Sequence, residues 1–152
     1  MKTTARRIAA LTAGALAICA GLFIVPPSAN AAIIGSCGSG YYKIDSYDVD
    51  RGRTTVGRID LYYSPTTGNN CALARPHSKL SGKVRHIWVC IEPSQFSSPG
   101  IRDCDGLGTG ENFRFYAGPV YTYARHDCID IKGGMKKDGL LYNGSAFNAH
   151  CG

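Results

Sequence analysis

The sequence of 152 residues lacks the patterns that would predict a helical or multidomain protein. No segment combines a helical apolar period with capping residues, so a helical bundle is excluded. There is no internal repeat and no segment with the composition of a domain linker. No two cysteines form a C-x-x-C pair, which argues against a zinc site. We therefore expect a single β-rich domain that holds no metal and no other cofactor.

One long apolar run is present, and it lies near the start of the chain. It covers residues 8–25, follows three basic residues, and is succeeded by Ala29–Ala31, a small-x-small cleavage pattern. This order predicts a signal peptide over 1–31 and a single β domain over 32–152. A retained membrane anchor is the alternative, which the cleavage pattern disfavours, so we expect no membrane span after cleavage. The three basic residues supply half of the net charge of +6, so nucleic acid is not an expected partner.

The cysteines indicate the compartment. Of the seven, Cys19 lies in the predicted signal peptide, which leaves an even number in the domain. An even number of cysteines in an exported chain predicts disulfides, here three of them, among which 15 pairings are open. The cysteines are Cys37, Cys71, Cys90, Cys104, Cys128 and Cys151.

Alternating apolar residues predict most of the strands. Thr55–Ser64 is the clearest case, and the turn residues after it predict a hairpin that returns at residues 71–74. Lys83–Glu92 has apolar residues on both faces and should be an interior strand. Tyr41–Val49 is predicted to place Tyr42, Ile44 and Ser46 on one side.

Gly110–Ile131 is expected to form the centre of the fold. Phe113 and Phe115 alternate as they would on a strand, and Pro119 should lie at an edge, bulge or corner. Turns are expected at Gly133–Gly134 and Asp138–Gly139. Many short strands with turn signals between them predict an all-β fold, a small antiparallel sandwich or barrel stapled by three disulfides.

Tyrosines are the main candidates for a binding surface. Tyrosine combines an apolar ring with a polar tip, which suits contacts with carbohydrate or protein. The alternative is plain cross-strand packing of the rings. The candidates for this binding surface are Tyr62, Tyr116, Tyr121 and Tyr123.

The alternative functions are those of a small ribonuclease and of a protease inhibitor. A small ribonuclease would need a carboxylate, an imidazole and an arginine, for which Glu92 or Glu111, His86 or His126, and Arg114 are candidates. Nothing in the strand pattern places a glutamate and a histidine beside Arg114, so we expect no catalytic residues. His126 and His150 each lie close to a cysteine. A protease inhibitor presenting the loop 93–103 is the other alternative.

Several short motifs, in order along the chain, resemble the spore-associated protein A family of small exported proteins from spore-forming actinobacteria. They are Cys37–Tyr41, Thr66–Cys71, Tyr116–Tyr121, Cys128–Asp130 and His150–Gly152. Cys90 and Cys104 look like an addition to the family's four cysteines, which favours pairing them with each other. The resemblance then suggests Cys37–Cys71 and Cys128–Cys151 for the rest.

The resemblance implies a secreted protein at the spore or cell surface, and it brings no catalytic residues with it. We therefore expect an exported, non-catalytic surface protein. Its expected partners are components of the spore or cell envelope, including glycans.

Overall fold

The computed structural model describes residues 35–94 and 102–151. The predicted signal peptide and most of the predicted inhibitor loop lie outside the described residues. Eight strands and one short 3-10 turn cover most of the described chain. They are β1 (Tyr42–Arg51), β2 (Thr54–Ser64), β3 (Asn69–Pro76), the 3-10 turn (Ser78–Leu80), β4 (Arg85–Pro93), β5 (Asp103–Asp105), β6 (Ala117–Tyr123), β7 (Ile129–Lys137) and β8 (Leu140–Ala149).

The strands form one antiparallel sheet in the order β5-β4-β7-β8-β1-β2-β3-β6. The sheet curls into a nearly closed barrel, because the two strands at its ends, β5 and β6, contact each other. We call β1, β2, β3 and β6 the first half of the barrel, and β5, β4, β7 and β8 the second half. The arrangement confirms the predicted all-β fold and selects the barrel over the sandwich.

Hydrogen bonds from the backbone of β6 to side chains of β5 join these two strands, in place of backbone pairing. The Gly118 backbone N–H donates to Asp105 Oδ2 at 2.6 Å, and the Tyr121 N–H donates to Asp103 Oδ2 at 2.7 Å. Pro119, between these two donors, has no N–H to offer, and it lies on this edge strand as predicted. The two carboxylates therefore satisfy backbone groups that an open sheet edge would expose to solvent.

The barrel interior is filled by apolar side chains from alternate positions of the strands. Ile59 and Leu61 of β2 are fully buried, as are Ile87, Val89 and Ile91 of β4. This is the alternation predicted for both strands. β4 also pairs with β5 on one side and β7 on the other, so it is an interior strand as expected.

Gly133 and Gly134 do not form the predicted turn, because both lie inside β7. A Cβ on Gly133 would lie 2.9 Å from Ile59 Cδ1, and a Cβ on Gly134 would lie 2.7 Å from the indole nitrogen of Trp88. These positions are glycine because the neighbouring side chains approach the backbone closely. The predicted turn at Asp138–Gly139 is confirmed: both residues have positive φ, at 50° and 78°, and they connect β7 to β8.

The segment before β6 is not the strand that its alternating phenylalanines predicted. Residues 110–116 have no ladder partner, and β6 begins only at Ala117. Two backbone hydrogen bonds fix the segment instead, from the Gly82 N–H to the Arg114 carbonyl and from the Ile87 N–H to the Phe113 carbonyl. Phe113 packs against the barrel core while Phe115 is exposed, so the alternation reflects partial burial without sheet pairing.

Three disulfides join Cys37 to Cys71, Cys90 to Cys104, and Cys128 to Cys151. These are the pairs that the family resemblance suggested. The first fastens the segment before β1 to the outside of β3, and the second links directly opposed residues of β4 and β5. The third joins the segment before β7 to the segment after β8.

Candidate functional site

The four predicted tyrosines all lie on or beside the first half of the barrel. Tyr62 is opposite Cys71 in the ladder, and Cys71 is opposite Tyr121, so the three form a row across β2, β3 and β6. Tyr62 and Tyr116 are half-buried and pack against a small cluster outside the barrel formed by Cys37, Cys71 and Leu73. Much of their ring surface is therefore used in packing.

Tyr121 and Tyr123 remain exposed, at 38% and 62%. The Tyr121 hydroxyl donates to the Cys37 carbonyl at 3.3 Å, and its ring packs against Tyr41 at a centroid distance of 5.7 Å. The ring of Tyr123 lies over Gly68, where a Cβ would come within 2.9 Å of it. We call Tyr41, Tyr121 and Tyr123 the tyrosine patch. Its rings are held in place by the protein before any ligand arrives.

A pocket of about 290 Å³ opens at one end of the barrel, and we call it the barrel-mouth pocket. It lies where β2 turns into β3, beside the residues that follow β6 and β8. Its lining consists of Ile44, Tyr63, Asn70, Ala124, His126, His150 and Cys151.

Two local features of the chain build this pocket. The Cys128–Cys151 disulfide brings His126 and His150 together from distant parts of the sequence, since each histidine lies within two residues of one of its cysteines. A bulge in β1 at Ile44 places that residue in the pocket while Ser46 faces Asp60 on the outside. The prediction that Tyr42, Ile44 and Ser46 share one side was therefore wrong, because the bulge interrupts the alternation.

Asn70 and Tyr63 contribute polar side chains to the lining of the pocket. Asn70 is only 3% exposed and is part of the pocket lining. A side-chain amide carries two N–H donors and an acceptor oxygen, so Asn70 has polar groups that can meet a ligand in the pocket.

His150 is oriented by Asp45, whose Oδ2 lies 3.1 Å from His150 Nε2. The pKa of Asp45 is lowered, chiefly by the backbone N–H of Ser46; burial opposes this, and His150 adds to the lowering. Burial, and then the neighbouring Asp45, raise the pKa of Tyr47 to about 12. Because Asp45 is ionised, it accepts a hydrogen bond from Nε2–H, and Nδ1 of a neutral His150 is then an acceptor.

A second pocket, of about 240 Å³, lies beside β5 and contains Arg114 together with three aromatic side chains. It is lined by Asp105, Phe113, Arg114, Phe115, Tyr116 and Gly118. The Asp105 carboxylate is already bound to the Gly118 amide. Within residues 35–94 and 102–151, no histidine or glutamate lines this pocket with Arg114, and Glu92 binds Arg102 instead. Around Arg114, the described residues therefore do not bring together the carboxylate, imidazole and arginine that were predicted for a ribonuclease.

No group of three or more His, Cys, Asp or Glu side chains with metal-binding geometry occurs in the part of the chain that the structure describes. Among the same residues, no helix is long and apolar enough to cross a membrane.

The fold defines a small antiparallel barrel, stapled by three disulfides, with pockets at its mouth and beside β5. No family model matches the chain, and no solved structure matches it significantly. Among curated proteins, the chain is 29% identical over 145 residues to spore-associated protein A of Streptomyces coelicolor. The alignment covers 90% of this chain and 82% of that protein. The similarity confirms the relationship to the spore-associated protein A family that the motifs predicted.

Proposed function

We propose that this protein is an exported, non-catalytic component of the spore or cell surface that binds envelope glycan through the tyrosine patch. The surface location is supported by the relative's name and by the disulfides, which persist in oxidising compartments. The observation that carries the binding role is the exposure of Tyr121 and Tyr123 on one face of β6.

The two rings suit a sugar chain for a geometric reason. Residues two apart on a strand project from the same face and lie roughly 7 Å apart, so Tyr121 and Tyr123 form a short aromatic track. A tyrosine ring offers an apolar face for the C–H groups of a sugar and a hydroxyl for its polar groups. Tyr41 and the Cys37 carbonyl hold Tyr121 in place, so little conformational freedom is lost on binding.

The test is sedimentation of the purified protein with insoluble peptidoglycan and, separately, with cell-wall particles from a spore-forming actinobacterium. The variant Tyr121→Phe/Tyr123→Ala removes one ring and the hydroxyl of the other while keeping the ring that packs against Tyr41. The matched control is Phe147→Ala, which removes a ring of similar exposure, 57%, from β8 in the other half of the barrel.

Wild-type protein and the Phe147→Ala control should bind equally, and the patch variant should bind roughly twofold to tenfold more weakly, since an aromatic contact contributes about 0.5–1.5 kcal/mol. Circular dichroism checks that the patch variant is folded. Equal binding of all three proteins would show that the patch is not the binding surface. Absence of binding by the wild type to either particle would refute the glycan role.

A further inference from the structure

We propose that the barrel-mouth pocket binds a single uncharged sugar ring, the end residue of a glycan whose next residues contact the tyrosine patch. The inference deepens the proposed function and rests on it for the class of ligand. Its own evidence is the barrel-mouth pocket, a second site whose chemistry differs from that of the tyrosine patch.

The size of the pocket limits its occupant. At about 290 Å³, the volume falls at the lower end of the range of roughly 300–1,000 Å³ that small-molecule sites occupy. One sugar ring is of the appropriate size, whereas a longer stretch of chain is not. A chain could therefore enter only by its end.

The lining groups match hydroxyls rather than charges. Asn70, which is 3% exposed, offers two N–H donors and an acceptor oxygen. Tyr63 adds a hydroxyl, and His126 adds an imidazole. A hydroxyl both donates and accepts, so a ring with several hydroxyls can satisfy all of these groups at once.

Charged ligands fit the pocket less well. Among residues 35–94 and 102–151, no lysine, arginine, aspartate or glutamate lines the pocket, and Asp45 beside it already pairs with His150. An anionic ligand would meet the negative charge of Asp45 behind the imidazole, and a cationic one would find no carboxylate among the lining residues. Ile44, Ala124 and the disulfide at Cys151 supply the apolar surface against which the ring can pack.

The pocket and the tyrosine patch adjoin each other through the ladder. Asn70 of the pocket is opposite Thr122, and its neighbour Asn69 is opposite Tyr123. Successive residues of a strand face opposite sides of the sheet, so the pocket lies inside the mouth and Tyr123 lies just outside the same rim. A glycan end seated beside Asn70 can continue over the rim towards Tyr123.

The experiment is an NMR titration of the full domain with N-acetyl-D-glucosamine and with D-glucose, followed through amide and side-chain resonances. Tetrahydropyran, a ring of the same size without hydroxyls, serves as the negative probe. The variants are Tyr63→Phe, which keeps the ring, and His126→Ala. The control is His77→Ala, which removes an imidazole next to the far end of β3.

At least one sugar should shift the resonances of Asn70, Tyr63 and His126, and tetrahydropyran should not. Tyr63→Phe and His126→Ala should each weaken that binding about fivefold to tenfold, the equivalent of one lost hydrogen bond, and His77→Ala should leave it unchanged. Shifts that map elsewhere, or no shift at tens of millimolar sugar, would overturn the inference.

The two proposals fail separately. If particles bind through the tyrosine patch while neither free sugar perturbs the pocket, the inference is wrong and the proposed function stands. If free sugar binds in the pocket while the patch variant sediments like wild type, the role of the patch is wrong and the pocket assignment stands.

Discussion

From the hydrogen bonds that join β5 to β6, we predict that Asp105 stabilises the barrel strongly, although it lies on a strand of only three residues. Its carboxylate accepts the N–H of Gly118, a buried residue of the edge strand, at 2.6 Å. The substitution Asp105→Ala would remove the acceptor and leave that buried donor without a partner. Asp103, whose bond to the Tyr121 amide is exposed, makes the same contact nearer to solvent.

The expected magnitudes follow from these two environments. A hydrogen bond to a charged group contributes about 1.5–3 kcal/mol, and exposure to water reduces this. We expect Asp105→Ala to lower the free energy of unfolding by about 2 kcal/mol. For Asp103→Ala we expect about 1 kcal/mol.

The stabilisation by Asp105 should depend on the Cys90–Cys104 disulfide. It closes a loop with a sequence separation of 14, and removing it costs about 3 kcal/mol in the chain-entropy model. Without the disulfide, β5 is held to β4 by a ladder of only three residue pairs, so β5 detaches more easily and its carboxylates contribute less. The combined loss in Cys90→Ser/Cys104→Ser/Asp105→Ala should fall short of the sum by about 1 kcal/mol.

Urea unfolding at neutral pH measures these free energies, and hydrogen exchange measures the protection of the Gly118 and Tyr121 amides. The control is Asp50→Ala, which removes an exposed aspartate from β1. The reasoning is refuted if Asp105→Ala and Asp50→Ala lose the same free energy and the Gly118 amide keeps its protection.

Two further changes test the outer face and the core. Burial raises the pKa of Asp60, but hydrogen bonds from Lys43 and Ser46 and the charges of Lys43 and Arg58 outweigh it and lower the pKa overall. The folded pKa lies below the unfolded value, so the stabilisation is complete above about pH 5 and is lost as pH falls through the folded pKa. Asp60→Asn should lower the free energy of unfolding by about 1–3 kcal/mol at pH 7. It should also reduce the loss of stability between pH 7 and pH 3, as measured by urea unfolding. An unchanged dependence on pH would contradict the assignment. Gly134→Ala should cost about 1–3 kcal/mol by overpacking, and a raised melting temperature would show that the site has room.

Local patterns predicted the regular parts of the fold. The alternation in β2 and β4 and the Asp138–Gly139 turn depend on neighbouring residues, so they could be read from the chain. Gly133–Gly134 could not, because the glycines are required by Ile59 and Trp88 from other strands. The hydrogen bonds between β5 and β6 could not be predicted either, because Asp103 and Asp105 accept them from a strand that comes later in the chain.

The candidate sites could likewise be predicted only in part. The exposed tyrosines of β6 could be proposed from residue type and strand position. The barrel-mouth pocket could not, although the sequence places His126 and His150 each near a cysteine. Bringing the two imidazoles together required knowing that Cys128 pairs with Cys151, and placing Ile44 beside them required the bulge in β1.

The strand order also bears on how the polypeptide matures during synthesis. β1, β2 and β3 are consecutive hairpins, so this meander can form from the first part of the chain alone and can bring Cys37 and Cys71 together before the later strands join it. The second neighbour of β1 is β8, the last strand, so one flank of the meander waits until nearly all of the chain has been made. An oxidant that acts early therefore finds one native pair already close together, and Cys128–Cys151 can form only after the final strand has been translated.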